Sequence, residues 1–246
     1  MPARIVSLVP SITELLCDLG LADQIVGRTG FCIHPREIVR RIPKVGGTKS
    51  VDIEKVRALR PTHVIVNVDE NEKPTADAIS KFVRHLVVTH PLAPLDNLAL
   101  YRQIGEAFEV RDEAERLCSE FQAAYDRAAA GRYPSRDVLY LIWKDPWMTV
   151  SRDTYISRTL ALFGLQTHPT DAGERYPKLT LAEPWLSTVD QVLLSSEPYA
   201  FREKHLREVC EQLGKPVHLI DGEMTSWYGS RAIRGLSYLA EFVGGA

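Results

Sequence analysis

The pattern that most limits this chain is a repeated order of short apolar runs and amphipathic helices. Residues 4–9 are a brief apolar run stopped by Pro10, which reads as a buried strand. Residues 11–19 follow as a helix, with Ser11 as N-cap, Glu14 at the reciprocal capping position and Gly20 as its stop. Residues 24–27 read as a second short strand. Residues 52–59 are helical, with Ile53, Val56 and Leu59 on one face. Pro61 punctuates, and a strand at 63–68, a helix at 75–82 and a strand at 85–89 complete the first half. Helices set between short strands imply βαβ units, and therefore mostly parallel sheets.

The second half repeats the order, with strands at 137–143, 190–195 and 216–220 and helices at 154–163, 201–213 and 231–243. Residues 62–67 match residues 190–195 in pattern, a weak internal duplication. Between the halves lie two helices, 96–108 and 112–130. The second carries Ala114, Leu117, Phe121, Ala124, Tyr125 and Ala128 at helical spacing and stops at Gly131. At 1.5 Å per residue it spans roughly 28 Å, a stiff connector rather than a flexible Gly/Ser linker. The expected architecture is α/β, with two Rossmann-like βαβ lobes joined by a long connecting helix. The expected boundaries are 1–95 for the first lobe, 96–134 for the helical connector and 135–246 for the second lobe.

Composition removes several classes. With 30 basic and 32 acidic residues the net charge is -2, which offers no general attraction to nucleic acid or anionic membrane. No apolar run approaches the ~20 residues of a membrane helix. Cys17, Cys32, Cys118 and Cys210 are widely spaced, without metal-binding spacing, and read as free buried thiols, with one disulfide left open. The amino-terminal residues show no secretory leader and no lipobox cysteine. The expectation is a cytoplasmic protein as written, or a periplasmic one if a leader has been removed.

The catalytic motifs are absent: no dinucleotide or P-loop glycine pattern, no nucleophile elbow, no paired zinc histidines. Gly46-Gly47-Thr48 reads as a turn before it reads as an anion cradle. No metal site is expected, although His34 and His90 with a carboxylate form an alternative metal-ion reading. What stands out is aromatic residues in loops, where α/β sheets bind ligands, beyond the carboxyl ends of strands. Trp143 and Trp147 follow one strand and Trp227 and Tyr228 another. Tyr176 lies in a loop beside Pro177, and Phe31 and His34 follow the strand at 24–27. Such loops suit a cleft for a large, flat or partly apolar ligand. Arg28, Arg152, Arg175 and Lys178 neighbour them, each read first as a solvated charge. Asp145, Asp221 and Glu223 are the loop carboxylates near the aromatics, and no histidine in their segments completes a catalytic pair.

Residues 4–16, residues 46–65 and residues 143–156 together resemble the helical-backbone class of ABC-importer substrate-binding proteins, those for cobalamin, haem and ferric siderophores. Thr62 and His63 depart from the family's usual form before its strand. The resemblance implies two lobes on a helical spine, a ligand cleft between them and little hinge motion. Its cobalamin branch is nearest in pattern, and implies ligand contacts at Phe31, Trp143 or Trp147, Tyr176 and Trp227. It also implies docking to a permease through one glutamate per lobe, Glu54 and Glu183. That branch can carry a disulfide between the first helix of the second lobe and the last helix. Residues 161–163 and 238–240 here hold no cysteine, which fits a reducing compartment.

The resulting expectation is a monomeric, non-catalytic binding protein that captures a corrinoid-like metal chelate for ABC-type import, with no prosthetic cofactor and no nucleic-acid partner. A ferric-siderophore or haem binder of the same fold, and a cytoplasmic corrinoid-handling protein or enzyme, are the alternatives.

Overall fold

A computed structural model describes residues 2–170 and 173–245, so the outermost residues of the expected lobes, 1 and 246, lie outside the described residues. The chain divides into two compact units. One holds the residues up to Pro91, Asn97–Ser119 and Tyr228–Arg231; the other holds Leu92–Asp96, Glu120–Trp227 and the residues from Ala232 onward.

The first unit begins with β1 (Ile5–Ser7) and α1 (Pro10–Asp18). α1 starts at Pro10, before the expected Ser11 cap. Val9 occupies the N-cap without a side-chain hydrogen bond, and proline at the first helical position supplies a preset φ and lacks the N–H that would be orphaned there. Ser11 is buried inside the helix, and Glu14, expected in a capping box, turns to a different partner described below. The elements that follow are β2 (Ile25–Arg28), α2 (Arg36–Val39), α3 (Ile53–Ala58), β3 (His63–Asn67), α4 (Lys73–Ser80) and β4 (His85–Thr89). α2 was not foreseen: it is a single turn with an apolar side too short to show a period. Asp52 caps α3 by accepting from the Lys55 amide at 3.0 Å.

The four strands are parallel in the order β2-β1-β3-β4. Val6 of the first strand, Leu8 just beyond its end, and Val64 and Val66 of the third point to one face. There they pack with Val56 of α3 and Ile79 of α4. Ile5 and Ile65, on the opposite face, are fully buried too, as expected for a parallel sheet covered on both sides. Gly46 and Gly47 form a turn. Gly46 has φ +110°, and a Cβ there would collide with the Ser50 carbonyl.

Next come α5 (Asp96–Ala107) and α6 (Arg111–Ala130), the latter continuous over 20 residues. Ala114, Leu117, Phe121, Ala124 and Ala128 are buried along it, and Tyr125 is half-buried with its ring 6.2 Å from Phe121.

The second unit's sheet has the order β6-β5-β8-β9, with β7 also on β5. It comprises β5 (Arg136–Trp143), β6 (Met148–Thr149), α7 (Tyr155–Ala161), β7 (Leu165–Thr167), β8 (Gln191–Ser195), α8 (Glu203–Leu213), β9 (Val217–Ile220), α9 (Gly222–Ser226) and α10 (Arg231–Gly244). All pairings are parallel except β5 with β6. Three elements correct the sequence reading, β7 among them, a three-residue strand where none is expected. Residues 143–148, expected as an open loop, make a tight reversal into β6, and Leu179 then pairs with Trp147 at 3.1 Å to extend that edge. Residues 222–226, also expected as loop, form α9, because the Asp221 carboxylate accepts from the Glu223 and Met224 amides and starts a helix there. Among the described residues no helix is long and apolar enough to cross a membrane.

All four cysteines are unpaired. Cys32 and Cys118 are buried as expected, whereas Cys17 is half-buried and Cys210 exposed. Burial, with Asp18 and Glu14 nearby, pushes the Cys17 thiol up to about 12, so it stays protonated and unreactive at neutral pH.

Candidate functional site

Parallel strands put all their carboxyl ends on one edge of a sheet, and the loops there carry the candidate residues in each unit. In the first unit Phe31 follows β2 and is 64% exposed beside the Gly46–Gly47 turn. His34 is half-buried three residues on. A buried amide network stiffens this edge: Asn71 donates to the Leu8 and Thr48 carbonyls, and Asn67 donates to the Thr89 carbonyl at 3.0 Å. His90 lies 3.5 Å from Asp69. Among the described residues no group of three or more His, Cys, Asp or Glu is placed to hold a metal ion.

Tyr228 belongs to the first unit through a connection that the sequence did not signal. Its hydroxyl donates to Glu70 at 2.6 Å, and the ring is only 7% exposed. The next residues are clamped. Gly229 donates to Asn97 at 2.7 Å and accepts from the Tyr101 hydroxyl at 2.9 Å. Arg231 makes a two-pronged ion pair with Glu14 at 2.7 and 2.9 Å, both side chains 6% exposed. Glu14 is thus the anchor of a distant segment rather than a local cap.

In the second unit Trp143 ends β5 and is 40% exposed, with its ring centroid 5.7 Å from Tyr199. Tyr199 continues to Phe201 at 4.6 Å, and Phe201 stacks parallel on Trp147 at 6.2 Å. Trp143 and Trp147 therefore terminate a run of rings whose middle members are Tyr199 and Phe201, two residues that carry no motif of their own in the sequence. Lys144 sits 5.5 Å from the Trp147 ring centre and pairs with Glu208. Trp147 also lines a cavity of about 580 Å³ with Pro146, Leu179, Leu181 and Gln212. Tyr176 is half-buried in the segment whose backbone pairs with residues 149 and 151.

Trp227, 7% exposed, closes α9 and donates through Nε1 to Glu197 at 2.6 Å. Ser226 donates to the same carboxylate oxygen at 2.8 Å. Burial, reinforced by the nearby Glu223 and Asp221 charges, raises the Glu197 carboxyl above the usual carboxylate range, while the two donors pull it back. Glu197 follows β8, so the carboxyl-end rule that selected the tryptophan loops covered it as well.

Of the cationic neighbours, Arg28 corrects the solvated reading. It is buried and donates to the Val39 carbonyl at 2.7 Å and the Thr29 carbonyl at 2.9 Å, so it shapes its loop. Arg152 and Arg175 donate to the Thr167 and Asp153 carbonyls. Glu54 is exposed in the first turn of α3, 3.5 Å from Arg57. Glu183 is half-buried and accepts from the Thr180 hydroxyl at 3.0 Å.

A family model described as periplasmic binding protein matches residues 5–177, and the chain belongs to that family. Its members are non-enzymatic, solute-binding transport components of ABC import. A curated relative, an uncharacterized ABC transporter substrate-binding lipoprotein of Bacillus subtilis strain 168, is 25% identical over 98% of this chain and 80% of its own length. Two solved structures share the fold. The periplasmic heme-binding protein RhuT of Roseiflexus sp. RS-1, in apo form, superposes with a TM-score of 0.83 at 22% identity, over 99% of both chains. The periplasmic vitamin B12-binding protein BtuF of Vibrio cholerae superposes with a TM-score of 0.81 at 16% identity, over 99% of this chain and 97% of its own.

Proposed function

We propose that this protein captures a corrinoid-like metal chelate and hands it to the permease of an ABC importer. The observation that carries the reading is the exposure of Phe31 and Trp143, one large aromatic at the carboxyl edge of each unit's sheet. An apolar ring of that size left in water at such an edge is a binding surface more often than a packing error. A corrinoid is a broad chelate with an apolar rim, and aromatic contact suits it. A tris-catecholate siderophore carries several negative charges and needs converging cations, whereas three of the four cations near these loops, Arg28, Arg152 and Arg175, already donate to backbone carbonyls, which leaves Lys178. The vitamin B12-binding neighbour supports the same choice. Haem is the second reading, favoured by the heme-binding neighbour and equally served by flat aromatic contacts.

Titration with cyanocobalamin and with haemin, followed by tryptophan quenching, tests both. The expected result is saturable quenching by cyanocobalamin, weakened at least about tenfold in Trp143→Ala, roughly 1.4 kcal/mol. Quenching by haemin alone moves the assignment to haem, and quenching by neither removes the chelate reading. Glu54 and Glu183 are proposed as the permease contacts. Glu54 extends freely enough from α3 to meet a cation with the loss of only one exposed ion pair, which is worth little.

A further inference from the structure

We propose that Glu197 is the positioning residue of the ligand site: its carboxylate holds the Trp227 indole and the end of α9 in the arrangement that the ligand meets. This rests on the reading that Trp227 contributes to ligand capture. The geometry is specific. One oxygen of Glu197 receives both the Trp227 Nε1–H at 2.6 Å and the Ser226 hydroxyl at 2.8 Å. An indole fixed by its one polar atom loses its freedom to rotate, which lowers the ordering cost of binding.

Glu197 is itself held from below. The Ser195 hydroxyl donates to its carbonyl at 2.6 Å, and the Tyr140 hydroxyl donates to Ser195 at 3.0 Å. Tyr140 also lies 2.5 Å from the Thr225 hydroxyl, so the network reaches the last turn of α9 by a second route. Gly222 completes the approach. Its amide donates to Ser196 at 2.8 Å, and any Cβ there would run into Ser195 and Glu197. The arrangement joins the carboxyl end of β8 to α9 through side chains and backbone groups together.

The groups that face Glu197 are two carboxylates, Asp221 and Glu223, and the buried Tyr140 hydroxyl, with Tyr238 of α10 bonded to the Asp221 amide at 2.9 Å. An ionised Glu197 makes the stronger, charge-assisted bonds to Trp227 and Ser226. Protonation weakens the hold, so binding is tighter at neutral pH than at acid pH.

The test compares wild type with Glu197→Gln, Glu197→Ala and Trp227→Phe. Ligand-free tryptophan fluorescence and near-ultraviolet circular dichroism are recorded from about pH 4 to about pH 8, a range that brackets a carboxyl raised by burial. Cyanocobalamin and haemin are then titrated at both ends of that range. The wild type is expected to show a titrating tryptophan signal that is lost in Glu197→Gln and in Trp227→Phe. Glu197→Gln should bind within about threefold of wild type at neutral pH but without pH dependence, and Glu197→Ala at least about tenfold more weakly. A signal that titrates unchanged in Glu197→Gln, or wild-type binding by Glu197→Ala, overturns the proposal. If Glu197→Ala fails to fold, the glutamine variant decides. If neither chelate binds the wild type, the functional reading fails, while the ligand-free signal still decides whether Glu197 holds Trp227.

Discussion

Two acids, Glu14 buried and Glu197 half-buried, show how position, not residue type, sets what a glutamate does. Glu14 is matched by Arg231 on both oxygens, so each charge finds the other in a site that water barely reaches. Removing Glu14 takes both of these charge-assisted bonds from the buried Arg231 guanidinium, and Glu14→Ala is expected to cost about 3–5 kcal/mol in urea unfolding, whereas replacing both by apolar residues of similar volume costs much less. Glu197 has only neutral donors and is surrounded by like charges, so its carboxyl is raised. A carboxyl raised in the folded state stabilises when protonated, and that contribution is lost as pH rises through the folded value. Glu197→Gln should therefore equal wild type in stability at acid pH and exceed it progressively toward pH 8, as read by melting curves across pH.

At the level of elements, caps and turns carry much of the specification. Thr154 accepts from the Ser157 amide at 3.2 Å and donates to the Ser151 carbonyl at 2.8 Å, which starts α7 where the sequence reading places it. Thr154→Ala is expected to lower stability by about 1 kcal/mol and Thr154→Ser to restore it, measured by denaturant unfolding. Long or strongly periodic elements were legible: β4 lies at 85–89 as expected, and α6 begins one residue earlier than its apolar stripe suggests. Short elements were not. β6 and β7 have two and three residues, too few for an alternation to register, and α9 depends on one aspartate at a strand end. The predicted N-cap of α1 failed because Ser11 followed a proline that itself begins a helix well.

Across the whole molecule, the two compact units share a single continuous helix. Residues 111–119 of α6 belong to the first unit and residues 120–130 to the second. Ala123 is exposed near its middle, so a proline there removes a helical hydrogen bond and clashes with the preceding turn without disturbing the core. Ala123→Pro is expected to cost about 3 kcal/mol or more, a fall of roughly 6–12 °C in Tm for a chain of this size, measured by scanning calorimetry. Glycine at the same position, which only loosens the helix, should cost about 1 kcal/mol.

Much of this protein was readable from residue order alone. The alternation of apolar runs and helices settles the α/β class, because parallel pairing follows from crossover connections whatever the side chains are. The repeat of that grammar indicates two sheets, and the family likeness rests on motifs that any single sequence displays. The partners of the polar side chains were not readable. Glu14 meets Arg231 across 217 positions, and Tyr228 meets Glu70 across 158. No periodicity records such pairs, since a helix or strand pattern describes only which face is apolar. The aromatic loops illustrate the same division. Sequence placed Trp143, Trp147 and Trp227 near strand ends, but only packing left Trp143 exposed, stacked Trp147 on Phe201 and tied Trp227 to a half-buried carboxylate. Local order is governed by backbone preferences that act over a few residues. A buried polar group must find its partner wherever the fold brings one, and that is fixed by the packing of the chain as a whole.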